Sequence, residues 1–275
     1  YLVDTPETRE GLSRYYAEIT YMDGQVKQVM EMLEELDQAD NTAFLWLSEQ
    51  GSQLPFGKWT CYDTGIHAAA VMRWPGVVKA GSESAALLSY VDVVPTWIEL
   101  AGGAPESLDL DGASFAEVLR NTTEHNHDVV FATHTTRGIH NGSEAFATRA
   151  ATDGEWLYIR NLHSEETFQN MVTKRDNIFR SWKGVETQFA QDRVRGYQQR
   201  AAEELYDLKT DPWCLNNQFG QADDQGLPAK LDAWMKQQGD QGDATEREAK
   251  SRQPDYKPWS KKGTYDRSEQ GKVNE

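Results

Sequence analysis

Cysteine is almost absent from this chain: Cys61 and Cys214 are the two present in 275 residues. Two cysteines make neither a disulfide framework nor a zinc site, so both are expected to be free and partly buried. Long apolar runs are missing as well, and no stretch approaches the length of a membrane span. Positive charge is scarce, with 28 Lys and Arg against 44 Asp and Glu and a net charge of −16. That balance argues against nucleic-acid binding. It also gives an anionic substrate no long-range attraction, so any such substrate needs a local basic pocket. The opening residues, Tyr1-Leu2-Val3-Asp4-Thr5-Pro6, lack a basic start followed by an apolar core, so no signal peptide is visible. What the chain does have is 38% hydrophobic and 26% charged residues, enough to bury a core in one large domain or two small ones.

Helical periodicity is strongest at the start. Leu12, Tyr15, Ile19, Met22, Val26, Val29, Leu33 and Leu36 recur at three- and four-residue steps, one apolar face of a helix from Thr5 to about Leu36. Thr5 suits its N-cap and Pro6 its first position. Thr42 to Leu47 and Ala68 to Trp74 read as buried strands, the second closed by Pro75-Gly76. Tyr90 to Ala101 reads as a short helix with Asp92 as N-cap and Gly102-Gly103 as its stop. An amphipathic piece is expected at Ser114–Arg120 and a strand at Val129–Ala132. Phe146 to Leu162 alternates through Asp153-Gly154, the pattern of a β-hairpin. The hairpin and a strand at Leu205–Leu208 suggest a small antiparallel sheet, with a helix at Leu227–Lys236 packed on it. Phe168 to Gln199 should be helical and is rich in Arg, Gln and aromatics. From Gly239 onward few apolar residues remain, so residues 239–275 are expected to form an extended or poorly packed tail, anchored through Tyr256 and Trp259.

Chemistry concentrates where the first strand stops. Phe44-Leu45-Trp46-Leu47 runs into Ser48-Glu49-Gln50-Gly51, and a Pro- and Gly-containing loop then delivers Lys58. Ligands of open α/β sheets bind beyond the carboxyl ends of strands. Glu49 and Gln50 would present two oxygen donors there, suited to a hard cation such as calcium, and Lys58 a positive charge for an anionic substrate. His67 follows a few residues on, as a substrate contact or a structural histidine. Beyond the strand at 129–132, Thr133-His134-Thr135-Thr136-Arg137-Gly138-Ile139-His140 is the densest donor cluster in this acidic chain.

Four blocks in order, Ser48-Glu49-Gln50-Gly51, Gly57-Lys58-Trp59-Thr60, Arg73-Trp74-Pro75-Gly76 and Asp92-Val93-Val94-Pro95-Thr96, resemble the second half of a sulfatase of the alkaline-phosphatase superfamily. Glu204-Leu205-Tyr206-Asp207-Leu208-Lys209-Thr210-Asp211-Pro212 resembles a signature near sulfatase C-termini, so the likeness covers most of residues 1–238. The helical insertion resembles heparan N-sulfatase and its bacterial relatives more than the arylsulfatases. The resemblance implies part of an alkaline-phosphatase-like mixed sheet flanked by helices over residues 1–128. A C-terminal subdomain with an antiparallel sheet and packed helix would follow over 129–238, and the tail over 239–275. It implies a calcium-dependent sulfuric ester hydrolase acting on a sulfated glycan, periplasmic or secreted. Glu49 and Gln50 would belong to the metal site and Lys58 would contact the sulfate. His67, His134, Arg137 and His140 would line the substrate.

Sulfatases use a formylglycine made from Cys or Ser in a Cys/Ser-x-Pro/Ala-x-Arg motif. Cys61-Tyr62-Asp63-Thr64 and Cys214-Leu215-Asn216-Asn217 do not fit it, and no other such motif occurs. The paired aspartates that open the family's metal site are also missing. The chain is therefore expected to be the C-terminal part of a longer enzyme, inactive alone, with a sheet edge and an apolar surface that the N-terminal half covers. The family's usual metal-site Asp is Glu49 here, one methylene longer and still able to ligate calcium. Two other readings stay open: a phosphodiesterase or phosphonate hydrolase of the same superfamily, and a non-catalytic glycan-binding subunit.

Overall fold

Thr5 starts the longest element as expected. Its extended backbone (φ −131°, ψ 161°) lets its hydroxyl accept the Thr8 amide at 3.1 Å, and Pro6 opens helix α1, Pro6–Glu35. The structure is a computed structural model describing residues 1–135 and 146–252, with side chains described as far as Glu248. At its N-terminal end α1 is tied to helix α6, Asn177–Trp182: the Trp182 indole donates to the Thr8 hydroxyl at 2.9 Å. Leu12 packs on the main core, but farther along Tyr15, Ile19, Val29 and Leu36 of the same apolar face stand exposed.

Strands β1, Phe44–Leu47, and β2, Ala70–Arg73, form an antiparallel pair with Phe44 opposite Arg73 and Leu47 opposite Ala70. Val71 on β2 is 59% exposed, so this pair buries little of its apolar surface within the described residues. Short helix α2, Asp63–Ile66, precedes β2, and α3, Val93–Leu100, follows it. Asp92 does not cap α3 with its side chain. Instead it is fully buried and accepts the backbone amides of Ser89 at 2.7 Å and Ala113 at 2.9 Å, with His127 Nε2 2.8 Å away. A carboxylate that gathers three segments is a better solution than a local cap, because buried acceptors need several donors. Helix α4, Ala116–Leu119, completes this part.

The second sheet has four antiparallel strands in the order β3-β4-β5-β6: Val130–His134, Thr148–Thr152, Trp156–Asn161 and Glu203–Asp207. The β4–β5 hairpin turns at Asp153-Gly154, where Gly154 adopts φ 88° and the Asp153 carboxylate accepts the Glu155 and Trp156 amides. Alternation along the strands splits the interior in two. Ala151, Tyr158 and Leu205 face Leu227, Leu231 and Met235 of helix α8, Leu227–Gln237. Ala150, Leu157 and Ile159 face the opposite core with Phe168, Phe179, Trp182 and Tyr197. The helical insertion there is α5, Met171–Arg175, then α6, then α7, Gln188–Gln198.

The tail departs from expectation too. Residues 239–252 are not an extended tail: they carry helix α9, Asp243–Arg252. Asp240 and Glu246 reach Arg149 of β4, with Arg149 Nη2 2.8 Å from Glu246, and all three side chains are largely buried. Residues 253–275, with Tyr256 and Trp259, lie outside the described part. Among the described residues no helix is long and apolar enough to cross a membrane.

Candidate active-site loop

The backbone leaving β1 is pinned to β2 at once. The Ser48 amide donates to the Ala69 carbonyl at 2.9 Å, and the Ala69 amide donates to the Ser48 hydroxyl at 2.9 Å. The chain then folds back on itself so tightly that three glycines are required. A Cβ on Gly51 would lie 1.8 Å from the Thr64 carbonyl oxygen, on Gly57 2.1 Å from that of Ser52, and on Gly65 2.6 Å from that of Gly57. Phe56 and Trp59 take left-handed φ values of 69° and 66°, a conformation unfavourable for residues with a Cβ unless surrounding contacts impose it. Those contacts are present. The Thr60 hydroxyl donates to the Phe56 and Gly57 carbonyls at 2.9 and 2.7 Å, and the Thr64 hydroxyl to Phe56 at 2.7 Å. Beneath, Phe56 packs against Tyr62 and Tyr197, and the Arg193 guanidinium sits 3.5 Å from the Phe56 ring centroid.

This framework brings three of the expected residues together. Lys58 Nζ lies 3.0 Å from Glu49 Oε2 and 5.4 Å from the Trp59 ring centroid. The Glu49 side chain is 77% exposed, whereas that of Lys58 is only 24% exposed. The ammonium is therefore held from below while the carboxylate faces outward. Its hydrogen bond from Lys58 holds the Glu49 carboxyl below its ordinary value. Gln50 Oε1 accepts the Trp59 amide at 3.4 Å, and the Tyr90 hydroxyl donates to the Ser48 carbonyl. The donor set of Glu49 and Gln50, a carboxylate and an amide oxygen, suits a hard cation. Among the described residues no group of three or more His, Cys, Asp or Glu is gathered to hold a metal.

The remaining candidates are placed elsewhere. His67 is exposed just after α2, with Nδ1 3.4 Å from Asp63 Oδ2, and the hydrogen bond to Asp63 raises its pKa above the ordinary value. The Gly51 amide donates to the Gly65 carbonyl at 3.0 Å, which ties α2 to the Glu49–Gln50 turn. His134 is not on a loop. β3 extends through it, pairing it with Thr148, and its ring is buried against Phe168. Burial, with Arg200 and Arg149 nearby, drives its pKa down to about 3. Such a ring is a buried group of the sheet in this structure. Arg137 and His140 lie outside the described residues. Cys61 and Cys214 are free and buried, and burial pushes both thiols up to about 12, so neither is a nucleophile near neutral pH.

Asp63 and Tyr90 escaped the sequence reading. The four-residue step from Asp63 to His67 on a helical turn was a usable signal. Tyr90 lies 42 residues from its partner Ser48, and no local pattern announces that contact.

Residues 3–104 match the protein-family model described as Sulfatase. An ulvan-active sulfatase of Formosa agariphila is 34% identical over 231 residues, which cover 82% of this chain and 43% of the relative. An N-acetylglucosamine-6-O-sulfatase of Bacteroides thetaiotaomicron is 27% identical over 213 residues, covering 76% of this chain and 32% of the relative. In three dimensions a putative sulfatase of Bacteroides fragilis superposes with a TM-score of 0.63 at 17% identity, covering 88% of this chain and 46% of that one. The chain is thus similar in sequence to sulfatases over most of its length and shares the α/β fold of the Bacteroides fragilis protein. It spans less than half the length of the curated relatives it matches.

Proposed function

We propose that this chain forms the C-terminal part of a calcium-dependent sulfuric ester hydrolase acting on a sulfated glycan. The observation that carries the proposal is the approach of Lys58 to Glu49 on one rigid turn, which puts a cationic group and a cation ligand side by side. Residues 1–128 are the α/β piece that holds this turn, and 129–238 the subdomain that braces it. The bracing contact is the Tyr62 hydroxyl, which donates to Glu204 of β6 at 3.0 Å. The nucleophile, a formylglycine, is assigned to an N-terminal half outside this chain, and the chain alone is inactive. Relatives named for sulfated sugars support the glycan as substrate. A polymeric substrate that cannot cross a membrane intact supports a periplasmic or secreted site.

Sulfate ester hydrolysis leaves negative charge on the departing oxygen, and fixed positive groups aimed at that charge lower the barrier. Lys58 provides one. Its ammonium stands over the Trp59 ring. Glu49 and Gln50 would hold calcium, which when bound supplies further positive charge to the sulfate oxygens. Glu49 also fixes the direction of the Lys58 ammonium. His67, oriented by Asp63, offers a hydrogen-bond donor at the rim for sugar hydroxyls.

In the complete enzyme, Glu49→Ala is expected to abolish sulfatase activity and weaken calcium binding. Lys58→Ala should lower kcat by on the order of 10²- to 10³-fold, the usual loss on deleting one electrostatic donor, with calcium affinity little changed. Kinetics on a small sulfate ester, with a calcium titration for each variant, check both. Wild-type activity in both variants would overturn the assignment, and activity on phosphonate or phosphate diesters instead of sulfate would favour another branch of the superfamily.

A further inference from the structure

The Arg- and Gln-rich insertion takes no part in the loop chemistry, yet it builds a cleft of about 340 Å³ between α6 and α7. Lys183, Gln191, Arg195, Gln198 and Gln199 line it over an apolar floor that includes the buried Trp182. In a chain of net charge −16, a cleft with two cations and no acidic residue in its lining departs from the average surface. Among the described residues Lys183 forms no ion pair; its ammonium rests 5.2 Å from the Phe179 ring centroid. Arg195 pairs through one nitrogen with Asp192, leaving other guanidinium donors open, and that pair is exposed and so weakly held. Among the described residues no side-chain hydrogen bond occupies the amides of Gln198 and Gln199, while Gln191 makes one long contact of 3.4 Å to the Glu186 carbonyl.

These groups are the complement of a sulfated sugar. Amides exchange hydrogen bonds with hydroxyls in both directions, a planar guanidinium donates to two sulfate oxygens, and an ammonium neutralises a second group. Apolar floor beneath polar walls suits the faces of sugar rings. We infer that the α6–α7 cleft is an accessory site that holds a sulfated polysaccharide chain, apart from the Glu49–Lys58 loop. The choice of sulfate over another anion rests on the sulfated-glycan reading above.

Binding without turnover tests the inference on the present chain. Dextran sulfate and unsulfated dextran of matched length are titrated by calorimetry at low and at physiological salt. Dextran sulfate is expected to bind, more weakly as salt rises, and dextran not at all. The double variant Lys183→Ala/Arg195→Ala should lose about tenfold or more in affinity, as expected when about 1.4 kcal/mol of charge-assisted contact is removed. Both side chains are exposed, so folding should be unaffected, which circular dichroism verifies. Arg14→Ala/Arg175→Ala, altering a separate cleft that Arg14 of α1, Arg175 at the end of α5 and Ile178 of α6 line, should bind as the wild type does. Equal affinity of the Lys183/Arg195 variant, equal binding of dextran, or preference for polygalacturonate over dextran sulfate would each overturn the site. Because no hydrolysis is read, failure here leaves the active-site proposal standing, and failure of the Glu49 and Lys58 tests leaves this result intact.

Discussion

His134 shows how burial decides what a single side chain can do. An exposed histidine in a loop is a ligand for sugar hydroxyls; the same residue inside a strand pair is a neutral core group. Its pKa of about 3 has a direct consequence for stability. The unfolded chain takes up a proton at this position below the ordinary value near 6.5, whereas the folded chain does not until about pH 3. Across that window the unfolded state binds more protons, so stability falls as pH is lowered, by up to about 1.4 kcal/mol per pH unit from this residue. Urea unfolding of the wild type and of His134→Gln between pH 7 and pH 4 is expected to show a shallower decline in the variant. Parallel curves would show that His134 is protonated inside the fold. The contrast with His67 is one of partners. Asp63 raises the His67 pKa, so the contact stabilises at pH below the ordinary histidine value and is lost as pH rises through the raised one.

Among the elements, those set by neighbours in sequence were legible and those set by distant contacts were not. The Thr5 cap, Pro6 and the apolar stripe define α1 within a few residues, and Asp153-Gly154 defines the hairpin by turn chemistry alone. The grouping of Glu49, Gln50 and Lys58 was legible for the same reason: they lie within ten residues of one another. β3 runs on through His134 because β4 pairs with it there, a match that composition does not reveal. α9 is the sharper case. Its sequence is polar, but Arg149, 91 residues from Asp240 and 97 from Glu246, needs their carboxylates as buried counter-charges. Removing one partner of a buried ion cluster leaves uncompensated charge, so Arg149→Ala should cost about 3–5 kcal/mol. Truncation after Gln238 should destabilise the chain similarly, while truncation after Arg252 should keep the cluster. Chemical denaturation of the three proteins distinguishes these outcomes, and wild-type stability of Arg149→Ala would mean that α9 does not dock in solution. His163, 2.6 Å from Asp243, adds a weaker tie that fades as pH rises through its raised pKa.

At the scale of the whole molecule the burial is lopsided. The four-stranded sheet is packed on both faces, yet the middle and end of α1 and the β1–β2 pair present apolar side chains to solvent. Patches of that kind mark a surface made to be covered, in keeping with the proposal that an N-terminal half completes the fold. Ile19→Ser should accordingly cost less than about 0.5 kcal/mol in the chain alone, against about 2–5 kcal/mol for Leu231→Ala in the closed core. A large penalty for Ile19→Ser would mean that α1 packs more fully in solution. The three-glycine contact under the Glu49–Lys58 turn bears on how such a molecule diversifies. Backbone pressed on backbone sets the path of that loop, so the side chains projecting from it are free to change without altering its course. Gly51, Gly57 and Gly65 form a socket, and Glu49, Gln50 and Lys58 are its interchangeable fittings: a lineage can exchange the side chains the loop presents while the socket stays the same.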